Sequence, residues 1–560
     1  MDTKIARSGN FCYPRMQQIA VHAVIFSVLL PFLSRCSLGV ISRGTGGVVV
    51  NTTHGPVLGE TEDGVYVFRG IRFAESPTGK LRFRPPAPPT AWHEVRPALD
   101  FAPACPQIVE IDPTENNNSV MAEDCLAVNV WTPKTDGGKR PVMVFIHGGA
   151  NIDGSARNTW YDGTTLAERG NLVLVTLQYR LGAWGYLELS EIGGKDYAES
   201  GNLGVLDQIA ALKWVKDNIA QFGGDPNNVT LFGQSAGGMA TARLMGMPQA
   251  RGLFQKAILE SGAGSRGGTT TAQATDVAKA YMKLAGVSSV EELRQLSMVD
   301  MREAQRKLFE TRFEDSSFGP VIDGVVLNKG SMDAIADSEG DNIPVMLGTV
   351  LDEMRYWSTI EDLPLEQKPE QLLRKQVADI VGDRAEEVIA AYKRNSTNYG
   401  DMIVQITSDL VFRLPAIELA ELTSHRHQPT YMYLLTYRST SSYRKYDSAH
   451  TMEIPFVFGV IDDLDVIAFT GRNPHRLALM KQVQQAWINF ARLGNPNHPG
   501  LPAWPQYDEN TRATMELGIN SKVVNDPLSE DRQAWGRYPT KEHIGAIISE
   551  NSDNATSGKQ

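Results

Sequence analysis

The amino-acid sequence predicts an α/β fold in which a large, mostly parallel sheet is covered by helices on both faces, and three observations carry that prediction. Residues 141–146 and 172–177 are continuous apolar runs without the alternation of a half-exposed strand, as strands buried on both faces require. After the second run, Leu206, Ile209, Leu212, Val215, Ile219 and Phe222 recur at helical spacing and Gly223-Gly224 close the pattern, which is the crossover of a parallel sheet. Third, Phe232-Gly233-Gln234-Ser235-Ala236-Gly237-Gly238 follows a short apolar stretch and precedes helix-prone residues 239–245. Glycines two before and two after a serine let a strand turn abruptly into a helix and lift the serine hydroxyl onto a strained corner. A bare G-x-S-x-G also suits a plain glycine turn, so the rest of the chain has to discriminate.

The chain has 560 residues and a net charge of −11, enough for a large core and without the positive excess that a nucleic-acid partner requires. Lys4, Arg7 and Arg15 precede an apolar run over 19–33, followed by the small residues Ser34, Ser37 and Gly39, the pattern of a secretory leader. At about 15 residues the run is short for a spanning helix. The expected organisation is a leader over 1–39, one domain over 40–548 and a polar, disordered tail over 549–560, with the mature chain secreted or periplasmic and without a stable membrane span; an uncleaved membrane anchor is the alternative. Cys12 and Cys36 belong to or adjoin the leader. That leaves Cys105 and Cys125 as either one loop-closing disulfide or two buried thiols. No cysteine or histidine spacing resembles a metal site, and no cofactor is expected. Sequons at Asn51, Asn117, Asn228, Asn395 and Asn554 matter only in a host that glycosylates, and Asn228, at a buried strand start, is expected to stay unmodified.

In chain order, short β-prone runs at 48–50, 55–59 and 65–68 suggest an antiparallel meander, and residues 126–131 another strand. Residues 254–259, 343–349 and 430–435 read as later sheet strands, with a charged helical region over about 272–312. A helical excursion between the last two strands is expected to cap the site.

A serine nucleophile needs a base to take its proton and an acid to fix the base's tautomer, in this fold class in the order serine, acid, histidine. Of the six histidines after Ser235, His450 stands out, on a loop leading into the apolar residues 454–459. For the acid, Asp352 and Glu353 both follow the strand over 343–349 at the carboxyl edge of the sheet, and the residues alone do not choose between them. His147-Gly148-Gly149-Ala150 follows a buried strand and offers successive backbone N–H groups for an oxyanion: Gly149 and Ala150, with Ala236 as a third donor. His147 is expected to hold that loop rather than to do chemistry.

With these parts in place the chain, from about Val48 to about Tyr538, resembles a type-B carboxylesterase. The resemblance rests on Phe68-Arg69-Gly70-Ile71-Arg72-Phe73-Ala74, Leu81-Arg82-Phe83-Arg84-Pro85-Pro86, Glu123-Asp124-Cys125-Leu126, Tyr179-Arg180-Leu181-Gly182, Gly201-Asn202-Leu203-Gly204, Phe222-Gly223-Gly224-Asp225-Pro226 and the serine motif. It implies an α/β-hydrolase fold with inserted cap helices and cleavage of small-molecule carboxylic esters through an acyl-enzyme. It also implies a triad of Ser235, Glu353 and His450, an oxyanion hole at Gly149, Ala150 and Ala236, and a disulfide between Cys105 and Cys125. Carbamate or amide hydrolysis by the same triad, and a non-catalytic adhesion role on this fold, are the alternatives. Three positions depart from the family: Gln234 stands where cholinesterases and many relatives have glutamate, Asn151 where a large apolar residue is usual, and Arg72 where proline is common. The loop from Pro106 to Asp124 contains no aromatic residue, which disfavours choline esters.

Overall fold

The apolar runs form the middle of one sheet, and successive residues of each run enter opposite cores. In β6 (Arg140–Ile146), Val142, Val144 and Ile146 join one apolar cluster with Val175 and Leu231, while Met143 and Phe145 join the other with Leu174, Phe232 and Ile258. This is the period of two of a strand covered on both faces. The computed structural model describes residues 43–536 and 538, apart from 109–119, 265, 312–317, 339–341, 361–368, 397 and 443–444. The expected leader and tail, and the sequons at Asn117 and Asn554, lie outside the described residues.

The meander appears as β1 (Arg43–Asn51), β2 (Pro56–Glu62) and β3 (Val65–Arg72), with the short β4 (Arg96–Pro97) on β2. β5 (Ala127–Thr132) continues it antiparallel between β3 and β7 (Val173–Leu177). From β7 the sheet is parallel through β6, β8 (Gly224–Gln234), β9 (Lys256–Glu260), β12 (Val345–Val350), β13 (Thr430–Leu435) and β14 (Ala513–Leu517). β15 (Lys522–Asn525) closes the edge antiparallel, and β10 (Thr269–Thr270) with β11 (Val321–Ile322) forms a separate parallel pair. β6 lies between β7 and β8, so the helix Leu203–Asn218 crosses over one strand rather than joining neighbours. A left-handed Gly223 ends its final turn, as the paired glycines predict.

Family-like blocks tie this framework together. Asp207, on the crossover helix, accepts the Arg180 backbone N–H at 3.0 Å and two guanidinium N–H groups at 2.7 Å, with both side chains buried. Arg82 pairs with Glu123 beside the cysteine loop, and Cys105 and Cys125 are joined by a disulfide and fully buried. Arg72 pairs with Asp124 at the surface. The excursion between β12 and β13 is helical, as Glu370–Val381, Ala385–Asn395, Tyr399–Ser408 and Leu414–His425. Among the described residues no helix is long and apolar enough to cross a membrane.

Candidate active site

Ser235 sits between β8 and the helix Ala236–Met245 with φ 57° and ψ −124°, a backbone state that costs a non-glycine residue about 1–3 kcal/mol. Its surroundings hold it there. The Ser235 N–H donates to the Glu260 carbonyl at 2.8 Å, and the Met239 N–H donates to the Ser235 carbonyl at 2.9 Å. The motif glycines are required by space: a Cβ on Gly237 would lie 2.0 Å from the Ile146 carbonyl oxygen, and one on Gly233 2.5 Å from the Gly237 carbonyl.

The loop after β6 packs against this elbow, since a Cβ on Gly148 would come within 3.0 Å of Ser235 Cβ. Gly149 and Ala150 both have positive φ, 101° and 51°, and the Gly149 carbonyl accepts from both Ile152 and Asp153 at 2.9 Å. Among the described residues no protein group accepts from the Gly149 or Ala150 amides. The Ala236 amide, first in its helix, has no intrahelical acceptor. His147 is buried, stacks on Tyr179 at 4.5 Å and donates from Nδ1 to the Gly148 carbonyl at 2.8 Å. Burial pulls its pKa down to about 4, so it is neutral and anchors the loop.

The chain beyond β13 brings His450 to the same sheet edge. Its Nδ1 lies 2.5 Å from Glu353 Oε2, and its backbone N–H donates to the Glu353 carbonyl at 3.2 Å. Glu353 Oε1 accepts the Val350 N–H at 3.0 Å, which turns the carboxylate back toward the strand end. Asp352, the other candidate acid, points elsewhere. It accepts the Ser448 N–H at 3.2 Å and pairs with Arg438 at 3.3 Å, while burial raises its carboxyl above the ordinary carboxylate value. The other ring nitrogen, His450 Nε2, meets the Gln234 side-chain nitrogen at 3.0 Å.

Two neighbours of His450 carry no signal in the sequence. Trp357, from the helix Arg355–Ile360, and Phe412, from the π turn Asp409–Arg413, each place a ring centroid 4.8 Å from the imidazole. The two rings lie nearly parallel, 6.0 Å apart at 13°. The wide turn that presents Phe412 interrupts an otherwise α-helical segment, a distortion common at functional sites. Asn151 also has positive φ (64°), and its carbonyl accepts from Gly182 at 2.8 Å.

Behind the histidine lies a buried acidic group. Glu260 accepts from Trp487 Nε1 at 2.6 Å, and burial pushes its pKa up to about 8. Glu453 accepts from Ser261 at 3.4 Å; its carboxyl is raised by burial and then by the charges of Glu353 and Glu260. A carboxyl raised above its unfolded value of 4.5 stabilises the fold at low pH, and that contribution is lost as pH rises through the folded value of about 8. Glu260→Gln, which keeps an acceptor for Trp487, is therefore expected to flatten the fall of Tm between these pH values. Calorimetry on both proteins checks this, and parallel Tm–pH curves would show that Glu260 carries its charge in the folded state.

A half-buried, strained elbow serine at the carboxyl edge of a doubly covered, mostly parallel sheet defines an α/β-hydrolase. The model of the carboxylesterase family matches residues 47–535, and this chain belongs to that family. The chain is 39% identical over 507 residues to the para-nitrobenzyl esterase of Bacillus subtilis (strain 168), covering 88% of this chain and 99% of that enzyme. It is 35% identical over 542 residues to the liver carboxylesterase of Sus scrofa, covering 88% and 93%. The crystal structure of a Geobacillus stearothermophilus carboxylesterase at pH 6.2 superposes with a TM-score of 0.78 at 35% identity, over 87% of this chain and 99% of that one. The protein is a carboxylic ester hydrolase of α/β-hydrolase fold, with small-molecule esters as its substrate class.

Proposed function

We propose that this enzyme cleaves esters through an acyl-enzyme on Ser235, with His450 as base, Glu353 as its orienting acid, and the Gly149, Ala150 and Ala236 amides as oxyanion donors. The observation that supports it most is the 2.5 Å contact between His450 Nδ1 and Glu353 Oε2, beside the strained serine elbow. A carboxylate accepts, so Nδ1 carries the proton and Nε2 keeps its lone pair for a serine proton. Ser235 Oγ gives its proton to Nε2 as it attacks the ester carbonyl, and the oxyanion forms where the loop amides lack a protein partner. His450 then returns that proton to the leaving alkoxide. Water repeats the sequence on the acyl ester, releasing the acid and restoring the serine hydroxyl. Trp357 and Phe412 form an apolar wall that fixes the imidazole plane.

The same reading has one catalytic domain over 40–548, exported behind a leader over 1–39. Labelling the exported protein with an organophosphonate and reading it by mass spectrometry tests both. The label is expected on the Ser235 peptide and the first residue near position 40; a label elsewhere, or none, overturns the nucleophile. A matched ester and amide series on the labelled enzyme's unreacted counterpart is expected to show turnover of the ester, and preference for the amide or carbamate would reassign the natural bond.

A further inference from the structure

Gln234 is 2% exposed at the end of β8, immediately before the elbow serine. Its side-chain amide bridges the space between the loop after β6 and the imidazole. The oxygen lies against the oxyanion loop, where a Cβ on Gly148 would come within 3.1 Å of Oε1, and the nitrogen lies 3.0 Å from His450 Nε2. On the far edge of the ring, Glu353 holds Nδ1, and Trp357 and Phe412 flank the ring. With the proton on Nδ1, Nε2 is an acceptor and the Gln234 amide is its donor. Nε2 has one lone pair, and the triad reading requires that lone pair for the Ser235 proton. Among the described residues its hydrogen-bond partner is Gln234, not Ser235.

We infer that Gln234 is a positioning residue: its amide occupies the lone pair of His450 Nε2 in the free enzyme and yields it to Ser235 Oγ when an ester carbonyl is bound. This rests on the triad proposed above. The amide N–H is compatible only with an unprotonated Nε2, because an imidazolium would set two N–H groups face to face. Gln234 therefore favours the neutral, reactive imidazole. A carboxylate at the same place would accept rather than donate and would favour the protonated ring, which is the functional meaning of glutamine at this position. The other ionisable groups facing the imidazole are Glu353 from the loop after β12, Tyr356 with its ring 6.4 Å away, and Glu453 beyond the histidine loop with Glu260 behind it. All of them remain when residue 234 is changed.

The test is kcat/KM against pH for an aryl ester, which reports ionisations of the free enzyme. It is run on the unaltered full chain, Gln234→Met and Gln234→Glu. The acid limb is expected lowest for the unaltered enzyme, higher for Gln234→Met, and highest for Gln234→Glu, about one to three pH units above the first, the usual effect of a charge within bonding reach. A role confined to packing would leave the limbs superimposed, and superimposed limbs overturn the inference. Gln234→Met is close in shape and uncharged, so its limb decides the question alone if Gln234→Glu does not fold. Organophosphonate labelling of each protein separates the two readings. An unlabelled Ser235 in the unaltered enzyme rejects the triad, whereas a labelled Ser235 with unmoved limbs rejects only the role of Gln234.

Discussion

Ser235→Ala is expected to lower kcat for a simple aryl ester by about 10⁴- to 10⁶-fold, the loss seen when the nucleophile of a serine triad is removed. The fold should be untouched. Alanine keeps Cβ, so the strained backbone at φ 57° and its bonds to Glu260 and Met239 remain, and only Oγ is lost from a partly exposed corner. Steady-state kinetics with a thermal melt checks both halves. Retention of a tenth or more of the activity at unchanged Tm would remove Ser235 from the chemistry.

Glu353→Gln is expected to cost about 10⁴-fold in kcat with little change in KM, because the substitution reverses the tautomer of the base. The surroundings dictate how the new amide sits. Its oxygen keeps the Val350 N–H, now accepted at 3.0 Å by Oε1, so its NH₂ faces His450 Nδ1. An N–H donor there forces the lone pair onto Nδ1 and the proton onto Nε2, which can then no longer accept from Ser235. Asp352→Asn is the contrast. Asp352 serves Ser448 and Arg438 instead of the imidazole, so kcat should fall by less than about tenfold, within the reach of a 1.4 kcal/mol disturbance. Equal losses in the two variants would mean that the carboxylates act as one unit.

The parts of the site that were legible in the chain are those carried by local backbone. The elbow needs glycine where Gly237 approaches the Ile146 carbonyl, and the loop after β6 needs residues that tolerate positive φ at Gly149 and Ala150, so both leave a written pattern. The central strands were legible because burial on both faces demands unbroken apolar runs. Strands β14 and β15 went unread. β15 is a four-residue edge strand whose two valines are only half-buried, too short for a strand pattern, and β14 joins the sheet by pairing with β13 some eighty residues earlier. The order of the sheet, with β6 between β7 and β8, is likewise a property of long-range pairing.

Local residue patterns carry a doubly covered parallel sheet, a strained serine at one strand end, a glycine loop beside it, and a histidine and two acids later in the chain. Each of these depends on the conformational needs of a few consecutive residues. The choice of Glu353 over its neighbour Asp352, which the residues alone left open and the family resemblance implied, is made physically by tertiary contacts, as are the placement of Trp357 and Phe412 against the imidazole and of Gln234 at Nε2. Those contacts join residues up to 216 positions apart. They depend on where the loops after β8, β12 and β13 converge at one sheet edge, and no local pattern records that convergence.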